Sequence, residues 1–135
     1  MGREQPRRRL LRWWAGMAAA VLLGAGPVVA RELAPSWDGL PAVALADLPV
    51  EARAVHQAVL AGGPFRHGKD GMVFGNRERL LPRAPRGFYR EYTVATPGAR
   101  DRGARRLVCG GERTTAPDAC FYTADHYASF RRIAP

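Results

Sequence analysis

Only one stretch of this chain carries good helical periodicity, and beyond it glycines and prolines divide much of the sequence into short segments. Over residues 49–60, Ala52, Val55, His56, Val59 and Leu60 recur at the spacing that puts side chains on one helix face. Pro49 suits a first helical turn, Glu51 sits where the helix dipole favours an acid, and Gly62, Gly63 and Pro64 end the run. After Asp70 and Gly71 the texture changes to short strands, expected at 72–74, 88–96, 102–108, 120–123 and 127–133. The 88–96 segment is the strongest, rich in aromatic and β-branched residues, and Pro97 and Gly98 turn the chain after it. One helix followed by hairpin-linked strands predicts an α+β fold, a single N-terminal helix packed on a small antiparallel β-sheet.

The chain has 135 residues, but its start reads as a targeting segment. Arg7, Arg8, Arg9 and Arg12 precede an apolar run from Trp13 to Val29, and Val28, Val29 and Ala30 place small residues where a signal peptidase cuts. A membrane anchor is the alternative, against which stand Gly16, Gly24, Gly26, Pro27 and the shortness of the run. The arginine cluster also loosely matches a twin-arginine signal. Residues 1–30 are therefore expected to be a signal peptide, and 31–44, Pro- and Gly-containing, an extended lead-in whose Trp37 packs on the domain surface. Removing 1–30 takes five arginines and one glutamate from 21 basic and 12 acidic residues, leaving 16 and 11 in 105 residues. A net charge of +5 biases the exported chain toward polyanions, although a merely solvated cationic surface has the same composition. Cys109 and Cys120 are most simply a disulfide in an exported protein, and with no nearby His pair they make a poor metal site.

On the strand 88–96, Tyr89, Glu91 and Thr93 share one side. Arg102, Ala104 and Arg106 share one side of the next, so Glu91 is expected to face Arg102 and Arg106 across the ladder. Opposite charge favours the ionised carboxylate, which can accept a proton, and guanidinium forks suit phosphate oxygens. A Glu–Arg salt-bridge ladder on the surface fits the same pattern. His126, between two strand candidates, can donate a proton near neutral pH from a loop over a sheet face. One base, one acid and two arginines form the minimal set for in-line transfer at a phosphodiester that supplies its own 2′-hydroxyl. No gathering of carboxylates or histidines suggests a metal or other cofactor, which disfavours two-metal chemistry. His56 reads as a packing residue and His67 as a solvated loop residue. In Phe74, Gly75, Asn76, Arg77 and Glu78 a strand ends in a polar loop whose amides and carboxylate match the edge of guanine, with Phe74 available to stack; an ordinary loop edged by a core Phe reads the same way.

Taken together, these segments resemble the secreted microbial guanyl-specific ribonucleases, the group containing barnase and the small streptomycete enzymes, and are most similar to the streptomycete branch. The resemblance rests on Leu48-Pro49 with Glu51-Ala52, Gly63-Pro64-Phe65, Asp70-Gly71 before Val73-Phe74, and Asn76-Arg77-Glu78 with Leu81-Pro82. It continues through Glu91-Tyr92-Thr93-Val94, Thr96-Pro97-Gly98-Ala99-Arg100 with Arg102-Gly103, Arg105-Arg106, and Asp125-His126-Tyr127-Ala128. No single motif is decisive; their order and spacing are.

The resemblance implies a ribonuclease domain over 45–135 in the microbial ribonuclease fold, with no cofactor or metal. It implies Glu91 as general base, His126 as general acid, Arg102 and Arg106 on the scissile phosphate, and Tyr127 contacting it. Residues Phe74, Gly75, Asn76, Arg77 and Glu78 become the guanine loop. The implied partners are single-stranded RNA and an acidic inhibitor of the barstar type, and the implied state is an extracellular monomer with no membrane attachment. A folded enzyme of this kind would attack its own cell's RNA, which favours export unfolded over the twin-arginine route. A non-catalytic, secreted cationic protein of the same fold, holding RNA or an anionic surface, is the alternative, against which the complete Glu91, Arg102, Arg106 and His126 set argues. The chain departs from the family at Gly75, where a longer polar side chain is usual, and at Asp101 between Arg100 and Arg102. It also departs at Ala44, where the family has a cysteine bridged to the C-terminal region.

Overall fold

The computed structural model describes residues 37–135. The expected signal peptide and the first part of the lead-in, 31–36, lie outside the described residues. Helix α1 runs over Val50–Ala61, one residue later than the periodicity predicts, because Pro49 takes the N-cap position with extended backbone. Glu51 lies in its first turn, where the dipole favours it. Gly62 ends it at φ 81°, and the amides of Gly62 and Gly63 return to the carbonyls of Val59 and Ala58. Ala52 and Val59 are buried and Val55 packs beside them, but Leu60 is 49% exposed, a correction to the expected face. A stripe seven residues long already spans the helix width, and the next residue rotates past its edge. His56 is half-buried on the flank, and desolvation lowers its pKa, as suits a neutral packing group.

Six strands form one sheet in the order β1-β6-β5-β4-β3-β2. They are β1 (Ala42–Ala44), β2 (Met72–Val73), β3 (Tyr89–Thr93), β4 (Arg106–Gly110), β5 (Ala119–Thr123) and β6 (Arg131–Ala134). Every pairing is antiparallel except β1 with β6, which run parallel with Ala42 opposite Arg132 and Ala44 opposite Ala134. One helix on a mostly antiparallel sheet is the expected α+β class. The strands are shorter than expected, and their ends have local causes. β4 starts at Arg106 rather than 102, because Gly103 adopts φ 64° and Asp101 Oδ1 accepts the Gly103 amide at 2.8 Å. β6 starts at Arg131 rather than 127, because His126 and Tyr127 hold φ 54° and 72°. β1 lies inside the expected lead-in; its partner is distant in sequence, so no local alternation marks it.

Two-residue alternation splits the sheet into two packed faces. Tyr92, Leu107, Cys109, Cys120 and Tyr122 face α1 and join Leu48, Ala52 and Val59 in one core. Tyr89, Val108 and Phe121 point the other way and join Leu81 and Phe130, with Trp37 packed at their edge. Trp37 lies 5.3 Å from Phe121 and 6.2 Å from Phe88 between ring centroids. The same second face carries Glu91, Thr93, Arg106 and Thr123, through the register Glu91–Val108–Phe121 and Thr93–Arg106–Thr123. The polar site is thus the continuation of a packed core and inherits its rigidity.

Cys109 and Cys120 are direct Cα partners on β4 and β5 and form a disulfide, S–S 2.05 Å. Their sulfurs sit in the α1-side core. Where the resemblance expects a covalent tie at residue 44, the chain has the hydrogen-bonded β1–β6 ladder instead. Replacing the disulfide with Cys109→Ala/Cys120→Ala is expected to lower unfolding free energy by about 3 kcal/mol, the chain-entropy value for so short a loop. Urea denaturation of the two proteins measures it, and equal midpoints would show that the bond adds nothing.

Candidate active site

Glu91 sits in the middle of β3 with its carboxylate turned to the second face. Tyr127 Oη donates to Glu91 Oε2 at 2.7 Å, and Arg102 Nη2 lies 3.5 Å from Oε1. The expected ladder of Glu91 facing both arginines is corrected by the register. Val108 is the residue opposite Glu91; Arg106 lies one row further, opposite Thr93. Arg102 is off the ladder altogether and reaches back from its loop. Its firmest bonds go to Thr93 Oγ1, 3.0 Å from Nε and 2.8 Å from Nη2. All three charged side chains still converge, because positions 91, 93 and 106 share one face and the 101–105 turn folds over it.

Arg106 is the most unusual group in the molecule, 2% exposed yet positively charged. Its Nη1 donates to the carbonyls of Gly103 and Arg105 at 2.9 and 2.8 Å and to that of Arg102 at 3.4 Å. Its Nε is buried with no partner, and no carboxylate lies within ion-pair distance of it among the described residues. The guanidinium instead lies 5.9 Å from the Tyr127 ring centroid. A buried cation without a counter-ion is costly and makes a local positive field that an anion would relieve.

His126 and Tyr127 come from the β5–β6 connection, on consecutive non-glycine residues in left-handed backbone. Such a conformation costs on the order of 1–3 kcal/mol per residue and persists only where neighbours impose it. Here Thr123 Oγ1 accepts the Tyr127 amide at 3.1 Å and donates to Asp125 Oδ1 at 2.8 Å. Asp125 in turn accepts the Ser129 amide at 2.9 Å and its hydroxyl at 2.5 Å. The Ser129 hydroxyl, then Thr123, hold the Asp125 carboxyl below its ordinary pKa. The His126 amide donates to Ala104 O at 3.0 Å, joining this loop to the turn that carries Arg102. The His126 side chain is exposed.

The 74–78 loop follows β2. Phe74 stacks on Tyr127 at 5.1 Å and meets Phe130 edge-on at 5.9 Å. Asn76, at φ 48°, clamps the loop with its side chain, Nδ2 to Leu81 O at 2.9 Å and Oδ1 from the Leu81 amide at 3.1 Å. Leu81 is buried, so the clamp is anchored in the core. Gly75, Arg77 and Glu78 are left exposed. A cleft of about 970 Å³ opens between this loop and the sheet, lined by Phe74, Gly75, Asn76, Arg77 and Glu78 on one side and by Glu91, His126 and Tyr127 on another. Arg102 and Arg106 stand beside its Glu91 end through Thr93 and Tyr127. Among the described residues no three His, Cys, Asp or Glu gather as metal ligands. Thr93, Thr123, Asp125 and Ser129 were not singled out by sequence reasoning. Thr93 shares the strand face of Glu91, and Asp125 precedes His126, so both carried a positional signal.

A model described as ribonuclease matches residues 34–134. The chain is 50% identical over 102 residues to guanyl-specific ribonuclease St of Saccharopolyspora erythraea, covering 73% of this chain and 94% of that one. It is 41% identical to guanyl-specific ribonuclease Sa3 of Kitasatospora aureofaciens, covering 93% of this chain and 94% of the relative. A crystal structure of ribonuclease Sa2 with guanosine-2′-cyclophosphate superposes with a TM-score of 0.64 at 41% identity, covering 71% of this chain and 97% of that one.

Burial pushes the Tyr89 hydroxyl up to about 12; burial, then the bond to Glu91, does the same to Tyr127. Both groups favour the protonated form in the fold. Their contribution to stability is therefore complete below pH 10 and lost as pH rises from 10 through 12. Alkaline titration of tyrosinate absorbance should find Tyr89 and Tyr127 ionising about two units late and Tyr92, which burial also raises, later than an ordinary tyrosine; Tyr127→Phe should remove one of the late steps.

Proposed function

This chain belongs to the ribonuclease family, and on that premise we propose that it cleaves single-stranded RNA on the 3′ side of guanosine through a 2′,3′-cyclic phosphate. The observation that carries the reading is that Glu91 and His126 open onto one cleft, beside a buried arginine that has no carboxylate partner among the described residues.

In this reading Glu91 removes the proton of the ribose 2′-hydroxyl, and the oxygen attacks phosphorus. As the bond from phosphorus to the 5′-oxygen breaks, His126 gives that oxygen its proton. Water then opens the cyclic phosphate with the two roles exchanged. Arg102 and Arg106 carry the charge gathering on the phosphoryl oxygens, where a field built in advance is most effective. Tyr127, neutral throughout the working pH range, orients the Glu91 carboxylate and offers its hydroxyl to the phosphate. Base, acid and cations all come from the chain, so no metal is needed. The 2′-hydroxyl requirement selects RNA over DNA.

Guanine enters beside the clamped 74–78 loop. Glu78 accepts from N1–H and the 2-amino group, loop amides at Gly75, Asn76 and Arg77 meet O6, and Phe74 supports the base. Only an unpaired base can reach this loop, which selects single strands. Residues 1–30 act as an export signal and 45–135 as the ribonuclease domain, consistent with the disulfide. The released chain works as an extracellular monomer, free of the membrane, and its cationic face suits an acidic inhibitor of the barstar type.

Incubation of the purified protein with a defined single-stranded RNA in chelator tests the chemistry. Cuts after G bearing cyclic phosphate ends are expected; intact RNA would leave only a binding protein of the same fold. Glu91→Gln should lose roughly 100-fold or more in kcat/KM. Glu78→Ala should lose about 10- to 100-fold on G-containing dinucleotides while its urea midpoint stays close to that of the parent. Equal parental activity at all four bases would defeat the guanine assignment.

A further inference from the structure

The cleft does not end at the 74–78 loop. Its far wall is made by Ala84, Pro85, Arg86 and Gly87, none of which the acid–base chemistry or the base-reading loop uses. Arg86 is exposed there, and Arg83 is exposed three residues earlier. Neither has a carboxylate within ion-pair distance among the described residues. Arg77 lines the cleft too, and it and Arg79 are exposed, so the 77–86 stretch holds four arginines against the single acid Glu78. Arg77 and Arg86 line the cleft, Arg79 and Arg83 are their near neighbours in sequence, and none of the four has an ion-pair partner among the described residues; like charges so placed repel, and a bound polyanion relieves that repulsion.

The segment carrying Arg83 and Arg86 is held as firmly as the base loop. Leu81, just before it, is buried and clamped by Asn76. Tyr89 Oη donates to Pro82 O at 2.6 Å, and the Phe88 amide returns to Pro85 O at 3.1 Å. Ala84 and Phe88 pack on the second core. Two prolines and these bonds remove most of the backbone freedom that binding would otherwise have to freeze. A cationic wall on a rigid segment is a preformed surface rather than a loose solvated loop.

We propose that Arg86, assisted by Arg83, forms a second phosphate subsite, which takes a phosphodiester of the same RNA strand other than the one being cut. The proposal rests on the RNA-cleaving reading above and adds that the substrate is an oligonucleotide, engaged over at least two phosphates. The recognised group is one phosphate, which a nucleotide either upstream or downstream of the guanosine can supply.

The test compares GpC with the trinucleotides ApGpC and GpCpA, cleaved by the parent and by Arg83→Gln/Arg86→Gln. Both positions are exposed, so folding should be unaffected. The parent should cleave one trinucleotide faster than GpC. The double variant should keep GpC cleavage within about twofold and lose about fivefold on that trinucleotide, the range of one exposed charge contact. Which trinucleotide is affected locates the phosphate on the 5′ or the 3′ side. The slope of log kcat/KM against log salt should shrink by about 0.7 on that substrate alone. Arg83→Lys/Arg86→Lys, which keeps the charge, should recover most of the loss. Equal losses on all three substrates, or no loss on any, would overturn the subsite and leave the ribonuclease reading standing. Failure of the parent to cut GpC and both trinucleotides would overturn that reading itself.

Discussion

An arginine buried without a carboxylate organises this site. Arg106 spends one end of its guanidinium on three carbonyls of the 102–105 turn, and that commitment shapes the turn which aims Arg102 at Thr93 and Glu91. Had Arg106 been matched by an acid, the pair would be neutral and the local positive field beside the cleft would be cancelled. Leaving it unmatched sacrifices stability locally, and the two packed cores on either side of the sheet supply the excess that makes this tolerable. The cation is affordable because it sits among peptide oxygens, which stabilise charge without cancelling it.

The same logic governs the loop with His126 and Tyr127. Both residues hold backbone conformations that an isolated peptide would leave at once. Thr123, Asp125 and Ser129 close a small polar ring beneath them, and the His126 amide fastens that ring to the arginine-bearing turn. His126, Tyr127 and the turn that carries Arg102 and Arg106 are therefore tied into one hydrogen-bonded unit. Asn76 performs the corresponding service for the 74–78 loop, tying it to buried Leu81. In each case a short polar side chain converts an irregular segment into a rigid one, so that precision comes from loops anchored on a sheet.

Much of this was legible before any coordinates. Helix α1 announced itself through periodicity and its glycine stop, β3 through its aromatic and β-branched alternation, and the Glu91 face through the two-residue repeat. What escaped was whatever depended on left-handed backbone or remote pairing. Arg102 looked like a strand residue because nothing in its side chain reveals that Gly103 bends the chain after it. His126 and Tyr127 looked like the start of β6 for the same reason. β1 was invisible as a strand because its ladder partners lie at the other end of the chain. Leu60 misled because a helix stripe is narrower than its hydrophobic composition. The disulfide was expected from cysteine parity, yet only the register shows it as a direct cross-strand pair.

The parallel pairing of β1 with β6 has a temporal meaning. A ribosome delivers residues 42–44 well before 131–134, so this seam stays open until every other strand has been made. His126 lies in the connection that leads into this later strand. A nascent chain that has emerged only through β4 lacks the 124–130 connection and a closed sheet, so the wall of the cleft that His126 and Tyr127 supply is not yet in place.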